Sequence, residues 1–449
     1  MLVPRTLLPL LAFAATSFAQ TTLYEGARLI TGDDSPAIES SAFLVHNGRI
    51  TALGPKGTIH APRNATRVDL TGKTVMPAMV NVHLHIGYEG FAPSGDENWA
   101  PENYTPANIL DHLRREAYYG VGVTQSVGSS PTDSSLQFIK DQTAGKFPPA
   151  SRFLFVPGMA PPNGGPDAIL LKGTKVPHAV YEISTAAEAT AAVKTMAAKH
   201  LRSVKIWVDD RRGTYPKMTP EVYNAVIAEA HRNHMIVQAH AIALADQKSV
   251  IRAGADVLVH IVGNEKVDDE LLALIREKKP YWTPVMGLGD RSEICDNNPF
   301  VDATLPGKFI SDVRTSSCGA ATPGYLAREE MLVNNFPKMI AAGARLVLGT
   351  DAGISARSTF GIADHHEIAR YVQLGLTPAQ AIIAATGRAA ELLGLKDKGV
   401  LKAGKSADFI VLKANPLENI KNTRTIEGVW LSGVPLNRDA MLASLKNPR

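Results

Sequence analysis

The spacing of apolar and polar positions changes twice along the chain. From about residue 20 to 72, short runs alternate and are broken by turn residues: TTLYEGARLI, SSAFLVHNGRITALG and ATRVDLTGKTV. Period-two alternation marks half-buried strands, because successive side chains point to opposite faces. The HNGRI segment sits between two β-rich runs and predicts a hairpin. After about residue 398 the same texture returns in ADFIVLKANP and TIEGVWLSGVPL. Because the termini of a domain often lie close together, the two ends predict one small antiparallel β-sandwich.

Between them, short apolar runs alternate with amphipathic helices such as PEVYNAVIAEAHRNH and DELLALIREKK. The runs are TVMPAMVNVHLH, VGVTQSV, RFLFVPG, SVKIWV, MIVQAHA, DVLVH, YWTPVM and RLVLGTD. Nearly continuous apolar strands joined by crossover helices imply a parallel sheet covered on both faces. Eight such units predict an α/β protein built on a (β/α)8 TIM barrel, with an open doubly wound sheet as the alternative. The expected division is a composite β-sandwich from 20–72 and 398–449 and a barrel over 73–397. Two long irregular stretches, 86–108 and 287–325, follow barrel strands and are expected on the face where those strands end.

Composition changes this picture little. Apolar residues are 45% and charged residues 20% of 449, an ordinary globular mix. Net charge is +4, and no basic run interleaves with aromatics, so a nucleic-acid partner is not expected. A small-molecule substrate is, and a homo-oligomer stays open. The opening MLVPRTLLPLLAFAATSFAQ has the order of a secretory signal peptide: Arg5, an apolar stretch from Thr6 to Phe18, then the small-x-small site Ser17-Phe18-Ala19. The expectation is removal of 1–19, no stable membrane anchor, and a secreted or periplasmic protein. In such a compartment Cys295 and Cys318, the two cysteines of the chain, are expected to pair.

The chemistry lies at the strand ends. In a barrel these converge on one site, and here they carry His83, His85, Lys205, His240, His260 and Asp351. His83 and His85 are two residues apart, so both face the same side of a strand. Imidazoles and carboxylates are ligands that zinc prefers, and the set is too large for one tetrahedral ion. Two divalent metals are therefore expected. Lys205 has two readings. It snorkels from the rim as an ammonium, or CO2 converts it to an anionic carbamate that bridges two ions.

These runs resemble those of the amidohydrolase superfamily. The resemblance rests on VMPAMVNVHLH, VKIW, IVQAHA, VLVH and GTDAG, and on the C-terminal AATGRAAELLGLKDKGVLKAGKSADFIVL. The step from His240 to His260 and the lysine of strand four are similar to the prolidase and ochratoxinase-like branch. That resemblance implies a first zinc on His83, His85 and Asp351, a second on His240 and His260, and a CO2-derived carbamate of Lys205 between them. It also implies that Asp351 is the catalytic proton carrier. The segment after Lys205 departs from the branch, reading IWVDDRRGTYPK where a glycine- and serine-rich turn is usual.

Substrate contacts are expected from Arg211 and Arg212 as a carboxylate clamp, from Tyr88 by stacking, and from His365 and His366 after strand eight. The leading function is hydrolysis of an amide bond in a dipeptide-like or N-acyl-amino-acid substrate. Lactone, ester, organophosphate or carbamate hydrolysis on the same centre is the alternative. A catalytically inactive binding protein would have lost ligands, and all six are present. A deaminase of the superfamily often carries a glutamate three residues after the strand-five histidine, where this chain has Ala243.

Overall fold

The computed structural model describes residues 21–91, 99–166, 176–288, 290, 292–296, 298–355 and 358–446. The expected signal segment, 1–19, lies outside them. Both chain ends form strands in two sheets. One sheet runs in the order Arg49–Pro55, Ser41–His46, Thr22–Glu25, Thr66–Asp69. The hairpin at HNGRI is present. Asn47 and Gly48 turn it with φ of 49° and 72°, the left-handed pair that matches strand twist. The second sheet runs Val434–Pro435, Ile426–Leu431, Phe409–Leu412, Thr74–Pro77, Arg28–Leu29. Tyr24, Phe43, Phe409 and Trp430 pack in one cluster drawn from both sheets. The Tyr24–Phe43 and Phe409–Trp430 rings stack at 4.9 and 4.8 Å, and each such pair adds about 0.5–1.5 kcal/mol beyond its buried area.

Two boundaries differ from the sequence expectation. Thr74–Pro77 pairs with Phe409–Leu412 and belongs to the second sheet, so the barrel begins at Met79 rather than 73. Pro77 has no N–H with which to extend a ladder, and at the break Ala78 donates to Asp408 O at 3.0 Å. At the other end the helix Arg438–Leu445 leaves the sandwich for the barrel helix Pro106–Tyr118. There Arg115 Nη2 donates to Leu445 O and Arg438 Nε to Tyr118 O, both at 3.0 Å.

All eight apolar runs contain strands of a parallel arrangement: Met79–Leu84, Val121–Val127, Arg152–Val156, Ser203–Trp207, Ile236–His240, Val257–Val259, Tyr281–Thr283 and Arg345–Leu346. The third continues past Pro157 as Gly158–Ala160, which pairs with the fourth. First and eighth are joined by Val82 N to Leu348 O at 2.9 Å and Thr350 N to His83 O at 2.8 Å, which closes the ring. Val80, Val82, Val123, Val257, Val259 and Val347 pack together with Leu392 of the short helix Gly387–Leu392. Burying a valine contributes at least about 1.5 kcal/mol.

The stretch 287–325, expected to be irregular, holds the helical segments Ser292–Cys295, Pro299–Asp302 and Gly307–Ser317. Asn298 caps the second by accepting from Phe300 N. Phe309, Ile310 and Val313 give the third a buried face. Cys295 and Cys318 are disulfide-bonded. Among the described residues, no helix is long and apolar enough to cross a membrane.

Candidate metal centre

Strand alternation sends His83 and His85 to the same side, and the eighth strand delivers Asp351 against them. His83 Nε2 lies 2.6 Å and His85 Nε2 3.3 Å from Asp351 Oδ1. One potential ligand atom from each of the three falls within 4.8 Å of the others, and all three residues are buried. The backbone fastens this group. Thr350 N and Asp351 N both donate to His83 O, at 2.8 and 3.0 Å, and His85 N donates to Ala352 O. Asn81 accepts from His83 N, and its amide nitrogen donates to Thr350 Oγ1 and Asp364 Oδ1. Close approach of strands seven and eight needs Gly349, because a Cβ there would come within 2.2 Å of Thr283 Oγ1 and 2.6 Å of His83 Cβ.

A second donor pair lies in the same cavity. The His240 and His260 rings are 4.5 Å apart, and His260 Nδ1 is 3.8 Å from Asp351 Oδ2. His260 and Asp351 hold φ of 73° and 52°. Left-handed conformations at non-glycine residues cost about 1–3 kcal/mol and cluster at functional sites. Lys205 is buried, with Nζ 5.4 Å from the Trp207 ring. That ring fits only because residue 128 is glycine, since a Cβ there would meet it at 2.1 Å.

Burial sets the charge states. It pushes His83 to about 3, helped by the Lys205 charge, and His240 to about 4. His260 falls well below the usual range for the same first reason. These imidazoles are neutral at pH 7, the form that ligates metal. Burial alone would raise Asp351, but His83 and His260 outweigh it and hold the carboxyl well below its ordinary value. Burial takes Lys205 down to about 7, where the free amine, the form able to take up CO2, is well populated. The donor set therefore fits divalent metal: neutral nitrogens and an ionised carboxylate, buried and converging.

The cavity is about 810 Å³ and is lined by His83, His85, Lys205, His240, His260 and Asp351 together. Arg211 and Arg212 also line it. Arg211 is already committed, with Nη1 2.7 Å from Asp209 Oδ2. Asp209 was visible only as part of a charged turn, yet Oδ2 also meets His240 Nε2 at 3.0 Å. That contact fixes the ring's tautomer and leaves Nδ1 as the lone-pair nitrogen.

Three residues expected to contact substrate lie off the lining of this cavity. Tyr88 is wholly buried outside the cavity lining, donating to Ser129 O at 2.5 Å and stacked on Trp99 at 4.5 Å. His365 and His366 lie on the helix Ile362–Gln373, outside the strand ring, and neither lines the cavity. His365 bonds Tyr119 O and Thr423 Oγ1. His366 sits between Asp290 and Glu293 at 3.0 and 3.1 Å.

The family model for amidohydrolases matches residues 74–436. The chain belongs to the amidohydrolase family. As an amidohydrolase it is a metal-dependent hydrolase acting on carbon–nitrogen bonds. It is 25% identical to ochratoxinase of Aspergillus niger over 468 aligned positions, covering 94% of this chain and 88% of that one. Among solved structures it is similar to a Xaa-Pro dipeptidase with methionine bound in its active site, with a TM-score of 0.74 at 22% identity. That match covers 93% of this chain and 100% of the other. Molinate hydrolase matches with a TM-score of 0.73 at 20% identity, covering 95% and 96%. These structural likenesses support the fold.

Proposed function

We propose that this amidohydrolase holds two zinc ions and cleaves the amide bond of N-acyl-amino-acid or dipeptide-like substrates, with Lys205 as a carbamate between the ions. One observation carries the reading: Lys205 is buried and lines one cavity together with both donor sets, His83, His85 and Asp351 on one side and His240 and His260 on the other. An ammonium in that place repels metal, whereas an anionic carbamate neutralises part of its charge. His83, His85 and Asp351 would hold one ion, and His240 and His260 the other.

Bound zinc supplies Lewis acidity, which acidifies water and polarises a carbonyl. The protein's own part is proton handling and enclosure. Asp351 takes the proton of the attacking water on a carboxylate oxygen and passes it to the leaving amine. Trp207 lines the cavity, and the valine cluster packs within the barrel. We also propose export, a reading the Cys295–Cys318 bridge supports.

Elemental analysis should find about two metals per chain; one or none in active enzyme would remove the dinuclear reading. Turnover should appear with N-acyl amino acids or Xaa-Pro dipeptides. Activity confined to lactones, phosphotriesters or carbamates would replace the amide reading. Lys205→Ala should lose metal and activity together, with partial return of both in acetate or propionate. Lys205→Arg should fail as badly, because guanidinium stays cationic. Full metal loading of Lys205→Arg would refute the carbamate.

A further inference from the structure

Charge on the cavity wall is balanced at the turn after strand four. Asp209 meets Arg211 and His240, and Asp210 and Asp246 share Lys217 at 3.3 and 2.9 Å. Arg328 is different. It lines the same cavity from the helix Pro323–Ala341 and is half-buried. Among the described residues it makes no ion pair. Its guanidinium is held by two backbone carbonyls, Nη1 donating to Leu288 O and Nη2 to Val285 O at 3.1 Å. Carbonyls fix the plane of the fork but bring no compensating charge, and they do not exhaust its donors.

The loop that presents these carbonyls is itself built for the purpose. Buried Glu367 accepts from Met286 N and Gly287 N at 2.9 and 2.6 Å. Val285 is held at φ 54°, a strained conformation for a β-branched residue. The charges of Glu329, Glu367 and Asp351 reach Arg328, but none pairs with it among the described residues; a fixed cation with free donors on the wall of a reaction cavity calls for an anionic ligand. Position selects which part of a substrate supplies it. Arg328 lies on the helix between strands seven and eight, and strand eight leads into Asp351, the proton donor to the leaving amine. In an amino-acid leaving group one carbon separates that nitrogen from the α-carboxylate. Arg212 also lacks an ion pair among the described residues, but it is exposed and follows strand four, on the opposite side of the ring.

We propose that Arg328 is a specificity-determining residue that receives the α-carboxylate of the leaving amino acid, so that substrates are acyl amino acids or dipeptides with a free carboxylate. This rests on the amide-hydrolase reading above. The test uses the full zinc-loaded chain with N-acetyl-L-phenylalanine and its carboxamide. Wild type should prefer the acid, and Arg328→Gln should reduce the acid-to-amide ratio of kcat/KM by about 10- to 100-fold, chiefly through KM. Arg328→Lys should recover part of the loss, since it keeps the charge but not the planar fork. Equal loss on both compounds would show that Arg328 merely supports the 285–288 loop and would overturn the proposal. If wild type cleaves neither compound, the amide reading fails, and Arg328 is still tested by calorimetric titration of 3-phenylpropanoate against 3-phenylpropanamide. There the carboxylate's advantage should shrink by the same factor in Arg328→Gln. An unchanged advantage would overturn the assignment.

Discussion

Two groups of histidines in this molecule are equally buried and chemically opposite. His83 and His85, at the first strand end, are 1% and 5% exposed; His365 and His366, on the helix Ile362–Gln373, are 1% and 7% exposed. Burial therefore does not separate a ligand from a structural residue. The fate of the ring nitrogens does. On the helix both nitrogens of each ring are used, by Tyr119 O and Thr423 for His365 and by Asp290 and Glu293 for His366. At the strand ends both rings instead turn Nε2 to one shared carboxylate oxygen, Asp351 Oδ1. His85 Nδ1 meets Ser129 Oγ at 3.0 Å while Nε2 faces Asp351. His83 Nδ1 is buried with no hydrogen-bond partner.

The comparison breaks first at Asp351, where the largest effect is expected. Asp351→Asn is nearly isosteric and should leave circular dichroism native. It cannot carry the proton, so kcat should fall by about 10²–10⁴-fold. Wild-type turnover in this variant would reduce Asp351 to a positional group and remove the functional meaning of the strand-end set.

The helix group should respond to pH in stability. Burial opposes charge on His366, but the hydrogen bonds and charges of Asp290 and Glu293 outweigh it and raise the ring to about 9 from 6.5. A raised folded value means that the stabilisation is complete below about pH 6.5 and is lost as pH climbs through about 9. His366→Gln should therefore lower Tm most at pH 6, by an amount reflecting on the order of 3 kcal/mol at most, and converge on wild type above pH 9. Metal content should not change. A metal deficit in His366→Gln would erase the distinction between the two groups.

What was legible in the sequence follows the same division. The His-x-His pair, His240, His260 and Asp351 could be placed because strand alternation and strand-end convergence are local rules. His365 and His366 follow strand eight just as closely, but they belong to a helix whose axis lies outside the ring, and no spacing in IADHHEIARYVQ reveals that. Arg328 was hidden for a related reason. It reads as a solvated position of an amphipathic helix, and its role depends on where the 285–288 loop turns. Thr74–Pro77 reads as part of the barrel because a sheet change at Ala78 leaves the apolar run unbroken.

The smallest expected effect tests Asp209, where a charged turn and the metal centre touch. Its Oδ2 meets His240 Nε2 at 3.0 Å and Arg211 Nη1 at 2.7 Å, so two roles compete. If Asp209 orients His240, Asp209→Asn keeps the acceptor but loses the charge that makes the imidazole a better donor to metal. Loss of such a partner typically weakens metal affinity by 10–100-fold. The bound metal should then leave at lower chelator concentration, and excess of the same metal should restore most of kcat. If Asp209 serves only to hold Arg211, the chelator profile stays that of wild type, and Arg211→Gln should copy every effect of Asp209→Asn. The control comes from the helix group: Asp290→Asn removes a carboxylate from His366 in an equally buried setting and should leave the chelator profile untouched. A shift in Asp209→Asn without one in Asp290→Asn or Arg211→Gln assigns the carboxylate to the metal centre. Equal shifts in all three would mean that metal retention tracks general loosening of the fold.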